Sequence, residues 1–423
     1  MKDSELVKSA SKLLKYVFIG YLVISLLYTA HHLFELYRGE PRLKPKPIPP
    51  NPKELLAIPQ SPQQLKWSNS LGVTEDMPES FMLSKVFSDA MGPSRVIPYY
   101  FKAERVPEKE DITIATLVTA NRFTVFSRLV THYQGPVSVA IHVQDDDSKD
   151  QLLESLHAMY DENPHMKTFV DIHLVVDPFE RQFNMWRNVA KFFARSNYVM
   201  MLDVDFHLCT DFRKSIQNDP KLMQVLREGK GALVVPAFEF NEQEDGMDYK
   251  TFPTTKQELV KIQRDDKIDM FHRSWWRGHG STNYTRWYDS TEPYKVTSYQ
   301  YSYEPYIIYR KEGSPWCDER FVGYGANKAA CLYEIYLSGI DYWVLPNDFL
   351  IHQTHPYPES SRKKERKYNR KLYDNFREEV CLRYMRAFMA SGEWDTPRAD
   401  NLKAECSKIK GFRSAAAQLE REL

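Results

Sequence analysis

The stretch YVMMLDVDFH, Tyr198 to His207, decides the fold. Its first five residues, Tyr198 to Leu202, are an apolar run of strand type, and two aspartates one residue apart, Asp203 and Asp205, follow at once. On extended backbone, side chains i and i+2 point to the same side, so both carboxylates can face one ion at the end of a buried strand. A bare D-x-D triplet is more often a solvated turn or a helix cap. This one closes an apolar strand in a region of alternating strands and helices, and such sheets bind ligands outside the carboxyl ends of their strands.

Working upstream, FVDIHLVV (Phe169 to Val176), VSVAIHV (Val137 to Val143) and ITIATLV (Ile112 to Val118) read as further buried strands. Helices are predicted between them over Arg122 to Tyr133, Gln151 to Tyr160 and Phe183 to Ala194. The last places Trp186, Val189, Ala190 and Phe193 on one apolar stripe. The class is therefore α/β, a mixed and mostly parallel sheet with helices on both faces. From Ala232 onward the helical rhythm weakens until a polar helix over Tyr368 to Met385, and no internal repeat is visible.

The N-terminal region differs. Tyr16 to Phe34 carries no formal charge over 19 positions, nearly the length that crosses a bilayer core of roughly 30 Å. Tyr28-Thr29-Ala30 lacks the small first residue of a cleavage site, so an uncleaved membrane anchor at 16–34 is expected, with a tail at 1–15. Lysines before it are matched by Arg38, Arg42, Lys44 and Lys46 after it, and charge alone leaves the orientation open. Eight prolines between Pro41 and Pro62 then hold the chain extended. A stem is expected over 35–107, a globular domain over 108–390 from near Glu108, and a helical tail over 391–423. Balanced charge, 57 basic against 57 acidic residues, gives no general attraction to nucleic acid. The basic cluster Arg362 to Arg366 reads as a solvated helix face. Cys209, Cys317, Cys331, Cys381 and Cys406 show no C-x-x-C spacing, which speaks against structural zinc, and their odd number leaves one unpaired within the chain.

Several residues are candidates for chemistry. His352 in VLPNDFLIHQTHP follows an apolar strand-type run, with His355 three residues on, and either is as readily a structural hydrogen-bonding histidine. Two carboxylates with one imidazole suit Mn2+ better than zinc. In RFVGYGANK, Arg320 to Lys328, Gly323 and Gly325 let backbone approach a ligand, or simply make a turn. Glu239 and Glu304 are carboxylates beside aromatic sequence, where desolvation raises a pKa towards that of a useful base. Haloacid-dehalogenase-type phosphohydrolases also place D-x-D after a strand, but need Thr or Val where His207 stands. A P-loop is absent.

Read in order, TLVT, RNVA, YVMMLDVDF, VVPAFE, FPTTKQEL, GHGSTNYTRW, EPYIIYR, RFVGYGANK and VLPNDFLIHQTHP resemble glycosyltransferase family 49 over about Ile112 to Met385. That family includes the glucuronyltransferases that build the dystroglycan glycan. The resemblance implies a GT-A type, Rossmann-like fold, an inverting reaction, a UDP-sugar donor, a glycan acceptor and Mn2+. It also implies a single-pass type II Golgi membrane protein with a lumenal domain, and admits a homodimer. By the same resemblance, Asp203, Asp205 and His352 hold the metal, while Thr119, Arg187, Asn188, Gly323, Gly325 and Asn327 border the donor. LARGE's retaining xylosyltransferase domain has no counterpart here, so a single-domain type is expected. Ala326 stands where the animal enzymes carry a bulky aromatic. Many inverting relatives place an acid just after the Gly-rich block, where this chain has Asn327; Glu304 is therefore the first choice for the base, with Asp318 and Glu239 as alternatives. The competing class is a non-catalytic sugar-binding or chaperone-like membrane protein on the same fold.

Overall fold

Runs of Val, Ile, Leu and Ala leave water most favourably when both faces of their strands are covered, and the computed structural model covers them from both sides. It describes residues 2–38, 64–68, 72–78, 82, 94–179, 181–355 and 362–422. The proline-rich stretch expected as a stem, Pro41 to Pro62, lies outside them. Two compact units result, Met1–Pro62 and Gln63–Leu423. In the first, one helix spans Lys2–Arg38. Its segment Lys15–Phe34, 20 residues at mean hydropathy 1.6, is among the described residues the one helix long and apolar enough to cross a membrane.

The second unit opens with a hairpin of β1 (Gln64–Ser68) and β2 (Thr74–Pro78). There follow β3 (Arg95–Phe101), β4 (Ile112–Val118), β5 (Val137–Gln144), β6 (Val170–Asp177) and β7 (Tyr198–Met201). Next come β8 (Phe206–Leu208), β9 (Gly231–Val235), β10 (Ala237–Phe240), β11 (Ile268–Met270) and β12 (Tyr294–Lys295). The last are β13 (Tyr306–Arg310), β14 (Asp341–Val344) and β15 (Leu350–His352). Nine of these make one sheet in the order β12-β14-β9-β13-β7-β4-β5-β6-β3. Six of the nine run the same way, with β12, β13 and β3 opposed. A second sheet, β11-β10-β15-β8, stands beside the end of β7. The mixed, mostly parallel α/β architecture read from the sequence is the one observed.

Each face of the large sheet has its own core. Along β7, Val199 and Met201 pack with the helix Phe183–Phe193, while Tyr198 and Met200 pack on the side of the helices Phe123–Tyr133 and Lys149–Glu162. The sheet also begins earlier than the expected boundary near Glu108: β3 is its edge strand, paired antiparallel with β6. Pro98 and a left-handed Tyr99 (φ 50°) interrupt that strand and hide its pattern in the sequence; proline is confined to edges and irregularities of this kind. At the other end the helix Arg362–Ala390 is longer than predicted, and the Cys381–Cys406 disulfide ties the helix Asp400–Cys406 to it. The expected tail thus belongs to the second compact unit. Cys317 pairs with Cys331, and Cys209 is the free, buried thiol.

Candidate functional site

Beyond Met201 the chain leaves the sheet, Leu202 N–H still donating to Ala115 O at 3.3 Å, and Asp203 emerges at the carboxyl end of the parallel strands. Three elements converge on it. Tyr306, first residue of the neighbouring β13, donates to Asp203 Oδ2 at 2.9 Å. Lys328, in the first turn of the helix Asn327–Leu337, brings Nζ to 3.1 Å from the same oxygen and 3.3 Å from the centre of the Tyr306 ring. Arg187, on the helix Phe183–Phe193, reaches Oδ1 at 3.4 Å and donates to Asn327 Oδ1 at 2.7 Å. Burial works against the charge on Asp203, but the Lys328 and Arg187 cations and the bonds from Lys328 and Tyr306 hold its carboxyl well below the usual range.

Asp205 faces a different set. Arg122 Nε lies 3.1 Å from Oδ1 and His355 Nε2 3.3 Å from Oδ2. Its carbonyl accepts from Gln353 N–H at 2.8 Å, which fixes it beside β15. There His352 sits opposite Phe206 across the β15-β8 ladder, its ring centre 5.5 Å from that of His355. Burial holds the His352 imidazole at about 3, so it is neutral and able to bind a cation at ordinary pH. Among the described residues no three His, Cys, Asp or Glu side chains stand close enough together to hold an ion. Asp205, His352 and His355, with Asp203 next to them, do supply carboxylate oxygen and imidazole nitrogen, the donor types that a divalent ion of the Mn2+ kind takes.

The other expected residues divide. Glu304 is brought to the site: burial raises its carboxyl pKa, nearby Asp203 adds to this, and Lys328, Arg187 and a bond from Ala329 N–H pull it partly back. Glu239, on β10, is raised by burial, and its Oε2 stands 3.8 Å from His352 Nδ1. Asp318 is held by Arg320 through contacts of 2.6 to 3.0 Å, and Arg320 also binds Glu379. Thr119 caps the turn Ala120–Arg122 that delivers Arg122, its hydroxyl bonded to Asn121 at 2.7 Å. Asn188 points elsewhere, clasping Cys317 from both backbone atoms and donating to Glu319. Gly323 and Gly325 have φ of 79° and 93°, and what approaches them is the helix Arg362–Ala390; a Cβ there would meet Glu365 and Arg366. Asn327 donates to Gly323 O at 2.9 Å and so fixes the first turn that carries Lys328.

Sequence reasoning missed Lys328, Tyr306 and Arg122. Lys328 had a signal, since it is a lone cation opening a helix buried throughout. In Asn283-Tyr284-Thr285, a sequence of the N-x-T type that can carry an N-linked glycan, Asn283 and Thr285 are exposed and Tyr284 is buried.

The family described as glycosyl-transferase for dystroglycan matches over residues 111–182 and 178–385. Xylosyl- and glucuronyltransferase LARGE2s of Danio rerio is 34% identical over 272 residues, 62% of this chain and 34% of its own length. LARGE1 of Homo sapiens is 30% identical over 265 residues, 60% of this chain and 33% of its own. The glycosyltransferase-like protein gnt14 of Dictyostelium discoideum is 28% identical over 302 residues, 69% of this chain and 45% of its own. The chain thus spans about a third of the length of the LARGE relatives it matches. A crystal structure of GalNAc-T7 with UDP, GalNAc and Mn2+ aligns at a TM-score of 0.36 and 12% identity over 72% of this chain and 54% of that one, too slight a likeness to bear on the site.

Proposed function

The chain belongs to the glycosyl-transferase family for dystroglycan, and from that premise we propose an inverting, Mn2+-dependent transfer of glucuronic acid from its UDP donor to a hydroxyl of a glycan acceptor. The observation that carries this reading is the company of Asp203: a carboxylate at the carboxyl end of the central strand, with Lys328 and Arg187 on it and Glu304 close enough to be shifted by all three. Glu304 takes the proton of the acceptor hydroxyl as that oxygen bonds to the sugar's anomeric carbon. The bond from that carbon to the UDP oxygen breaks on the opposite face. Lys328 and Arg187 are preplaced positive charge for the departing diphosphate. Asp203, Asp205 and His352, with His355 within reach, would hold Mn2+, which supplies further positive charge to the same leaving group.

A lumenal, type II placement in the Golgi accords with the Lys15–Phe34 helix and with two disulfides, bonds that persist in oxidising compartments. The test is to incubate the full chain in detergent with a panel of UDP-sugars, Mn2+ and glycan acceptors, and to read the product by NMR. UDP-glucuronic acid is expected to turn over with a β-linked product from its α-linked donor. An α-linked product would overturn the single displacement, and turnover of another UDP-sugar alone would overturn the donor.

A further inference from the structure

The helix Phe183–Phe193 buries two stripes. Trp186, Val189, Ala190 and Phe193 belong to the core of the sheet. Asn184, Arg187, Asn188 and Lys191, spaced i, i+3, i+4 and i+7, form a second stripe that is polar and also buried. Buried polar groups are paired in native proteins, and three of these four hold a single segment of chain. Lys191 Nζ donates to Ser314 O at 3.2 Å and to Pro315 O at 2.8 Å. Asn188 donates to Cys317 O at 2.8 Å and accepts from Cys317 N–H at 2.9 Å. Asn184 donates to Asp318 O at 2.8 Å.

The fourth member of the stripe is Arg187, which lies on Asp203. The other cation on Asp203, Lys328, comes from the helix Asn327–Leu337. That helix is tied to the same segment by the Cys317–Cys331 disulfide, and Cys331 stands three residues beyond Lys328, where side chains are neighbours on a helix surface. The residue after Arg187 is thus joined to the turn after Lys328 through Asn188, Cys317 and Cys331. Between the two cysteines the chain passes through Gly323, Gly325 and Ala326, all of positive φ, and a glycine-rich path of this kind does not by itself fix where the next helix begins. The disulfide closes that path over 14 residues, and Asn184 holds its end by donating to Asn327 O at 2.9 Å.

We propose that Asn188 and the Cys317–Cys331 disulfide are a positioning strap that holds Lys328 at a set distance from Arg187, so that the two cations receive a diphosphate together. The assignment rests on the transferase reading, from which the diphosphate comes. The strap acts through the two helices and not by contact with the reacting groups. A misplacement of about 1 Å in such a site costs on the order of 100-fold in rate.

The test is UDP binding by the full chain in detergent with Mn2+, measured by calorimetry, with UDP release from UDP-glucuronic acid followed in parallel. The forms compared are wild type, Cys317→Ala/Cys331→Ala, Asn188→Ala, Lys328→Met and the combination of Lys328→Met with both cysteine substitutions. The cysteine variant is expected to melt lower yet remain folded at the assay temperature, and to bind UDP at least ~10-fold more weakly. A disulfide that served stability alone would lower the melting temperature and leave UDP affinity where it was. In the Lys328→Met background, where Arg187 still meets the diphosphate, opening the disulfide should weaken UDP binding by less than about twofold, because the strap acts through Lys328. Asn188→Ala leaves the disulfide closed and should weaken UDP binding by about threefold or more, and it decides the question if the cysteine variant does not fold. If binding follows this pattern but no form releases UDP from the donor, the strap stands and the transferase reading falls. Wild-type affinity in the cysteine variant or in Asn188→Ala, or a loss just as large when Lys328 is already absent, overturns the strap whatever the UDP release shows. A wild type that binds no UDP overturns both.

Discussion

Of the three carboxylates put forward for the base, Glu304 is the one whose surroundings include Asp203, Lys328 and Arg187 together. Asp318 has both oxygens engaged by Arg320. Glu304→Gln is therefore expected to lower kcat by at least ~100-fold with UDP affinity little changed, while Asp318→Asn stays close to wild type. The reverse pattern would remove Glu304 from the mechanism and leave the reaction class standing. At this scale the sequence was informative where chemistry and periodicity coincide: Asp203 and Asp205 are legible because a buried strand runs straight into them. It was less so for Asn188 and the two glycines, whose residue types suited a ligand but whose partners are the Cys317 segment and the helix Arg362–Ala390. Those partners are remote in sequence, and no local pattern announces them.

Among the elements, β6 carries a buried histidine whose protonation state is fixed by its neighbours. His173 Nδ1 accepts from Tyr99 N–H at 2.9 Å, so Nε2 bears the hydrogen and donates to Ser138 Oγ at 3.0 Å, and that hydroxyl donates to Ala190 O at 2.6 Å. Burial, with the Arg195 charge, lowers its pKa from 6.5 to about 3. The unfolded chain takes up this proton below about 6.5 and the folded one does not, so the stability is complete above 6.5 and is lost as the pH falls towards 3. The loss is on the order of 5 kcal/mol at ~1.4 kcal/mol per unit. Thermal melts should show the gap between wild type and His173→Gln narrowing from pH 7.5 to pH 5; parallel curves would contradict this. Breaking the Cys381–Cys406 bridge, 25 residues apart in sequence, by Cys406→Ser should cost about 3 kcal/mol, read as a lower denaturant midpoint. The strands β4 to β7 were legible because they are short, mostly apolar runs rich in Val, Ile and Leu. The edge strand β3 was not, because it pairs with the sheet on one side only and Pro98 breaks its rhythm.

At the scale of the whole molecule, the second compact unit takes in residues that the sequence assigned to a stem and a tail. A chain begun at residue 63 should fold stably once freed of the N-terminal helix, whereas one begun at Glu108 loses β3 and the buried Tyr99 and should melt lower or aggregate. Protease added to sealed microsomes should spare the unit after Phe34 until detergent is present; complete digestion without detergent would refute a lumenal placement. Asp203 and Asp205 serve metal-assisted sugar transfer in the proposed reaction, which UDP release by the full chain with UDP-glucuronic acid and an acceptor glycan tests. Release is expected to require Mn2+, to cease with EDTA and to be absent in Asp205→Asn, with the melting temperature of that variant nearly unchanged. Undiminished release in EDTA or in Asp205→Asn would contradict it.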